Sequence, residues 1–418
     1  MQNANTLKIA LGIALGLQVP VIAGSEAPAV EPAATKSCDW CTWLQNKPGT
    51  LYKNKENPFL QEFQVEGRFQ YQTAKVDGSD VNNQDFNQAY DEYRRVRLGV
   101  KAKFLQYFGL KYQVNLVDDG RNAAAGGSLD WGYQDIDEAF LSFDLGKALG
   151  DNNPFDELKL NYGRQKFTFG QESHTSSTKL LTVERSAISN KVYGSYRPTG
   201  LSVDAIKGDW TFGGALYSST TAGSENKDFN GWQDSVIYYL TAGYKVNDQL
   251  TLGADFVYND ADVSKGDDSV LGYEWATSLN AQYDVGPWGV IGDLIIGDNG
   301  DDLGHNADRS GGFWGLVVMP YCWIIQDKLQ LVGQYQYEGS DEAQGVRVNS
   351  RYGRARVDNG IDVNSGRGDS HHSFYGGLNY YLCGHNAKIQ AGLEYQSMDT
   401  PKGDFDTMTY VLAFRTFF

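Results

Sequence analysis

The sequence predicts an all-β fold: a transmembrane antiparallel β-barrel of about sixteen strands, with short periplasmic turns and long extracellular loops. Three observations predict it. Apolar and polar residues alternate with period two from residue 60 onward. Tight turns alternate with long polar loops. The chain closes on an amphipathic aromatic strand.

Composition narrows the class. The chain holds 48 Gly, 26 Tyr and 20 Phe in 418 residues, and its mean hydropathy is −0.46. A helical membrane protein needs runs of about 20 apolar residues, and none follows residue 23. A soluble globule fits the polarity but leaves the Tyr and Gly without a reason. A barrel supplies one, through aromatic girdles at both interfaces and a polar lumen. The net charge of −16 argues against nucleic acid as a partner.

Taken from the N-terminus, residues 1–23 read as an export signal. Lys8 precedes the apolar run Ile9 to Ala23, which Pro20 interrupts, and cleavage is expected after Ala23 or a few residues later. Residues 24–60 then form a periplasmic N-terminal segment, disordered over its Ala-, Pro- and Glu-rich part. It carries Cys38-Asp39-Trp40-Cys41, a C-x-x-C without a βαβ context or the second half of a zinc site. The expectation is an oxidised local loop. The segment is too short for a plug domain.

Residues 61–418 form the barrel. Phe63, Val65, Phe69 and Tyr71 alternate with Glu62, Gln64, Glu66, Arg68 and Gln70, and successive strand residues point to opposite faces. Tyr273, Trp275, Leu279, Ala281 and Tyr283 form a similar outward row, as do Ile389, Ala391, Leu393 and Tyr395. Expected strand starts are Glu62, Tyr93, Phe108, Asp135, Leu158, Gly200, Trp210, Ser235, Gln249, Gly272, Trp288, Gly312, Lys328, Ser373, Ala387 and Met408. Gly208-Asp209, Asn247-Asp248, Gly286-Pro287 and Gln326-Asp327 are tight turns. The segments 218–234, 259–271, 297–311 and 339–372 are long and polar. Acidic stretches such as Asp77 to Asp91 read as loops. Tyr410, Leu412, Phe414 and Phe418 close the barrel.

The residues also resemble a known family, the phosphate-selective porins O and P. The resemblance rests on Arg94-Arg95-Val96-Arg97-Leu98-Gly99-Val100 followed by Lys101-Ala102-Lys103-Phe104. It continues with Leu160-Asn161-Tyr162-Gly163-Arg164-Gln165-Lys166, Phe169-Gly170-Gln171-Glu172, Thr175-Ser176-Ser177 and Glu184-Arg185-Ser186. Phe374 to Tyr381 and Phe414-Arg415-Thr416-Phe417-Phe418 complete it. It covers roughly residues 60–418 and implies a sixteen-stranded barrel, usually trimeric, with loops folded into the lumen and a basic pathway for anions. No phosphate-site residue is carried over.

Parity places the pore chemistry. If Val96, Leu98, Val100, Ala102 and Phe104 face lipid, then Arg95, Arg97, Lys101 and Lys103 face the lumen. A charge on the lipid face near the midplane costs about 2–4 kcal/mol. Lys111, Arg68 and Lys159 join this inward set, a basic wall from mouth to mouth. Such rows serve anion pores. The inward carboxylates Glu62, Glu66, Glu138, Asp144, Asp255, Glu274, Asp284, Asp293 and Glu394 set an alternative beside it: opposed walls and weak selectivity. By the resemblance, the segment Gly170 to Gly194 folds inward as a constriction. Arg164, Lys166, Ser176, Ser177, Lys179 and Arg185 are its candidate residues. Arg347, Arg351, Arg354, Arg356 and Arg367 lie in the long loop before the last strands and could attract anions to the mouth.

Other constellations are weaker. His371-His372 lacks a third metal ligand, and Asp298-Asn299-Gly300-Asp301-Asp302 lacks the full spacing of a calcium loop. No cofactor, metal or catalytic residue is expected, since no nucleophile–base motif is present. The function expected is an outer-membrane porin for passive diffusion of small hydrophilic solutes, with a preference for anions, phosphate or other inorganic anions among them. The alternatives are a general porin or a barrel with an adhesive or structural role. Expected partners are outer-membrane lipid, lipopolysaccharide and two further copies in a homotrimer.

Overall fold

A computed structural model describes residues 39–117, 131–220, 231–232, 235–267, 269–348, 352–353 and 360–418. The export signal, Cys38, Arg351, Arg354 and Arg356 lie outside the described residues.

Sixteen antiparallel strands close into a barrel: β1 (Leu60–Ser79), β2 (Asp85–Phe104), β3 (Phe108–Val117), β4 (Trp131–Asp144), β5 (Glu157–Arg164), β6 (Thr199–Lys207), β7 (Trp210–Ser218), β8 (Val236–Lys245), β9 (Leu250–Asn259), β10 (Trp275–Val285), β11 (Trp288–Asp298), β12 (Gly312–Ile325), β13 (Leu329–Ser340), β14 (Ser370–Tyr381), β15 (Ala387–Asp399) and β16 (Phe405–Phe417). Each pairs with its neighbours in sequence, and β16 closes on β1 with Phe414 opposite Tyr71. Among the described residues four short α-helices accompany them: α1 (Asp39–Gln45), α2 (Leu145–Leu149), α3 (Gln171–His174) and α4 (Ala187–Tyr193).

The barrel is inside-out relative to a soluble protein. Leu98, Leu240, Leu279, Phe374, Leu393 and Leu412 are exposed on its outer face. Gln70, Gln72, Asp255, Gln334, Gln390 and Arg415 are buried inside. An exposed apolar girdle with a buried polar interior is stable only where lipid surrounds the outside. The short connections, such as 208–209 and 286–287, gather at one end with residues 39–59 and the C-terminal Phe418. The long loops gather at the other.

Four expectations need correction. Strand β2 begins at Asp85 rather than Tyr93, so most of Asp77 to Asp91 is strand; only residues 80–84 form the loop. Tyr273 is not on the outward row. It is fully buried, and its hydroxyl donates to the Val192 carbonyl at 2.7 Å. Asp144 keeps the inward parity of Ser142 but is no part of the cavity wall; it lies at the short-turn end and caps α2, accepting from the Lys147 N–H. The cysteine expectation also changes: Cys41 is bonded to Cys383, in the β14–β15 turn. The disulfide therefore clips the N-terminal segment to the barrel rim instead of closing a local loop. Beyond the end of β16, the strand Thr50–Lys53 pairs with Glu62 to Gln64 and covers the edge of β1 left open there.

Candidate functional site

The segment 165–198, between β5 and β6, leaves the wall and crosses the lumen. Gly163 starts the departure. Its φ of +135° and the Ala139 carbonyl 2.4 Å from the position of a Cβ exclude other residues there. Across the lumen the segment is held by far strands. The Gly170 N–H donates to Asp255 on β9 at 3.0 Å, and the Gln171 N–H to Asp293 on β11 at 2.8 Å. His174 meets Asp255 at 2.7 Å. Gln334 on β13 reaches Glu172 at 3.1 Å, and the Ala187 N–H donates to Gln336. Asn379, Lys388, Gln390 and Arg415, on β14 to β16, donate to the carbonyls of residues 180–183. The loop thus covers the inner surface of β9 to β16.

What stays open is a cavity of about 560 Å³ between this loop and the inner wall of β1 to β8. Nine Arg and Lys line it against four Asp and Glu, so its surroundings are net positive. The inward carboxylates Asp255, Asp293 and Glu394 do not form an opposed acidic wall, because they lie behind the loop. Asp255 and Asp293 anchor it. Glu394 accepts from Ser373 at 2.8 Å.

The expected residues divide into three groups. The partners found for Arg68, Arg95 and Arg185 in the cavity are neutral. Arg68 donates to the Ser177 hydroxyl at 2.8 Å, and Arg95 to the Gln70 side-chain carbonyl at 2.8 Å. Arg185 donates to the Glu172 and Thr175 carbonyls. Lys166 likewise donates to the Ser173 carbonyl, and Arg164 to the Ile136 carbonyl at 2.7 Å. Ser176 and Ser177 also line the cavity. A second group lines it in ion pairs: Arg97 with Asp137 at 2.6 Å, and Lys111 with Glu138. The third group is not brought there. Lys101 and Lys103 pair with Glu66 and Glu62 toward the short-turn end, Lys159 pairs with Glu157, and Lys179 is exposed. The basic row therefore reaches the cavity only with its upper members, not from mouth to mouth.

Sequence reasoning missed Arg94, Asp137, Tyr193 and Arg197. Two β-bulges explain the first two. Gln70 faces Arg95 and Tyr71 faces Tyr93, so Arg94 is an extra residue; Asp137 is extra between Glu138 and Ile136. Each bulge turns two consecutive charged residues inward. Arg94 meets Glu184 of the loop at 2.7 Å, and Asp137 lies between Arg97 and Arg197. A signal did exist: consecutive charges in a lipid-spanning strand put one in lipid unless the strand bulges.

Tyr193, at the end of α4, gathers three cations. Lys166, Arg185 and Arg197 lie 5.3, 5.0 and 6.0 Å from its ring centroid, and Arg197 donates to its hydroxyl at 3.2 Å. Burial raises the phenol, but Arg197, Lys166 and Arg185 outweigh it and hold Tyr193 well below the ordinary range. Burial pushes Lys166 down to about 7. The candidate metal pair is split by the pleat: His371 is buried inside beside Glu338, whereas His372 accepts from or donates to the Tyr335 hydroxyl on the outer face.

Comparisons with known proteins agree with this architecture. The chain resembles the outer membrane channel DcaP of Acinetobacter baumannii, with 13% identity and a TM-score of 0.55, over 88% of this chain and 100% of that one. It resembles an anion-selective porin from Comamonas acidovorans, with 11% identity and a TM-score of 0.53, over 84% and 99%. OprB of Pseudomonas putida aligns with 11% identity and a TM-score of 0.53, over 85% and 94%. At these identities the likeness concerns the fold. No curated protein sequence matches. The family model for phosphate-selective porin O and P matches residues 63–285, more than half of the chain. An inside-out sixteen-stranded barrel with an inward loop, matched by that model, belongs to the phosphate-selective porin O and P family and is an outer-membrane channel.

Proposed function

We propose that the chain is a passive, anion-preferring diffusion channel for small hydrophilic solutes, with phosphate and other inorganic anions among them. One observation carries the reading: Arg68, Arg95, Lys166 and Arg185 meet the cavity with neutral partners, while the inward carboxylates of the far wall are engaged behind the loop. Fixed cations in a water-filled constriction lower the barrier for anions. The planar guanidinium can also take two oxygens of one oxyanion. Support by likeness comes from the anion-selective porin of Comamonas acidovorans. A solved structure of Vibrio cholerae OmpT in its trimer form, of the same fold, supports a homotrimer.

Reversal potential in a planar bilayer under a chloride salt gradient tests the reading. The expected sign is that of anion preference, and added phosphate should lower the chloride conductance. A cation-selective reversal potential would overturn the anion preference and leave the channel. A general, weakly selective porin is the second reading. Asp137, Glu138 and Asp204 favour it, since they line the same cavity; a reversal potential near zero would establish it.

A further inference from the structure

Helix α1 carries two unlike stripes. Cys41 and Leu44 are buried together with Cys383 and Ala387, and Cys41 is bonded to Cys383. Ala387 belongs to the outward row of β15, because Lys388 and Gln390 reach inward to the lumen loop. The helix therefore covers the outer side of the barrel rim at its short-turn end, not the space beneath the lumen. Trp40 and Trp43 form the second stripe, turned about 100° from the first by helix geometry. They remain 46% and 63% exposed. The other flank, Thr42 and Gln45, is exposed and polar.

A helix of seven residues does not persist alone in water. Its disulfide and a small apolar contact keep it in place, with two large indoles pointing away. Tryptophan favours the membrane–water boundary, where an apolar ring and a polar N–H are both served. Around the same end of the barrel, Tyr107, Trp210, Trp288 and Ile324 are exposed and mark that boundary. The β14–β15 turn, Leu382 to Asn386, presents no exposed large apolar side chain of its own. The Trp stripe lies beside this turn and continues the lipid-facing belt through its sector.

We propose that α1 is an interfacial anchor. The Cys41–Cys383 disulfide holds it at the headgroup level of the periplasmic leaflet, where Trp40 and Trp43 lie among phospholipid headgroups and complete the aromatic belt. The inference rests on the barrel's place in the membrane and is independent of its selectivity.

The test uses the full chain and a Trp40→Phe/Trp43→Phe variant. Both are reconstituted into phosphatidylcholine vesicles with or without bromine on the acyl carbons nearest the headgroup. The difference between the two emission spectra isolates the two indoles. The expected difference spectrum is blue-shifted, and bromolipid quenches it about twofold while aqueous iodide has little effect. Quenching by iodide alone places the stripe in water and overturns the proposal. Quenching by neither means protein covers it, such as a second copy of the chain, and overturns it equally. A phosphine then reduces the disulfide in the reconstituted protein. The disulfide gains two electrons and two protons to give two thiols, and the phosphine becomes its oxide with oxygen from water. Iodide quenching should then rise as the helix leaves the interface. Unchanged quenching after complete reduction overturns the disulfide's part. A Cys383→Ser variant that retains β-barrel circular dichroism should match the reduced protein.

Discussion

Arg94 and Arg95 show how one extra residue recharges a wall. Strict alternation would put Arg94 into lipid; the bulge turns it to Glu184 and leaves Arg95 on Gln70. Counting parity finds Arg95 and loses Arg94, because a bulge changes the count by one without changing the composition. Since Arg95 has a neutral partner and Lys103 sits on Glu62 near the mouth, their substitutions should differ. Arg95→Glu should shift the reversal potential toward cations by several-fold in permeability ratio, and Lys103→Glu should shift it far less. A planar-bilayer comparison of the two variants checks this; equal shifts would remove the distinction. Lys166 sets a pH dependence. Burial pushes it down to about 7, so it is charged below that pH and neutral above it. Tyr193, Arg185, Arg197 and Glu138 face it. Anion permeability should fall as pH rises through about 7, whereas Lys166→Arg, always charged, should flatten the profile. A wild-type profile that is already flat would contradict the assignment.

At the scale of elements, most strand starts were legible, because lipid outside and water inside impose period two on each wall. Strand β2 is the instructive exception. Along its first residues the inner face is itself apolar, with Tyr90 buried on Ala74, Val76 and Tyr352 and Phe86 packed beside them, so the apolar-out pattern of a lipid-facing strand does not hold there. The inward loop was legible only as a long segment with mixed charge. Its path depends on single contacts with far strands. Glu172 ties the loop both to itself and to the wall, accepting from the Ser186 N–H and hydroxyl and from Gln334 on β13. Glu172→Ala leaves these buried donors without an acceptor, at a cost on the order of 1–3 kcal/mol. The expected readout is a noisier, larger single-channel conductance with the barrel still folded. An unchanged current trace would show that the loop holds without this carboxylate.

For the whole molecule, stability depends on an outer face that water cannot satisfy. Leu279 is 57% exposed on that face, within β10. Leu279→Arg should destabilise the folded barrel by about 2–4 kcal/mol if it lies near the midplane. Equilibrium unfolding from vesicles in guanidinium measures the difference. The inward replacement Gln282→Arg should cost clearly less, since that side of β10 faces the lumen. Equal costs for the two would place the bilayer elsewhere.

Most strands, the tight and long ends, and the inward side of Arg68, Arg95, Arg97 and Lys111 were legible in the residues themselves. These follow from local rules: a two-residue period, turn chemistry and the cost of charge in lipid. Which half of the lumen stays open was set by tertiary contacts alone. That choice is made by bonds between residues far apart in the chain, such as Arg415 to Val183, 232 positions away. The bulges at Arg94 and Asp137 and the clip from Cys41 to Cys383 were likewise decided there. No local period records them, because each depends on what the neighbouring strand or the rim places opposite.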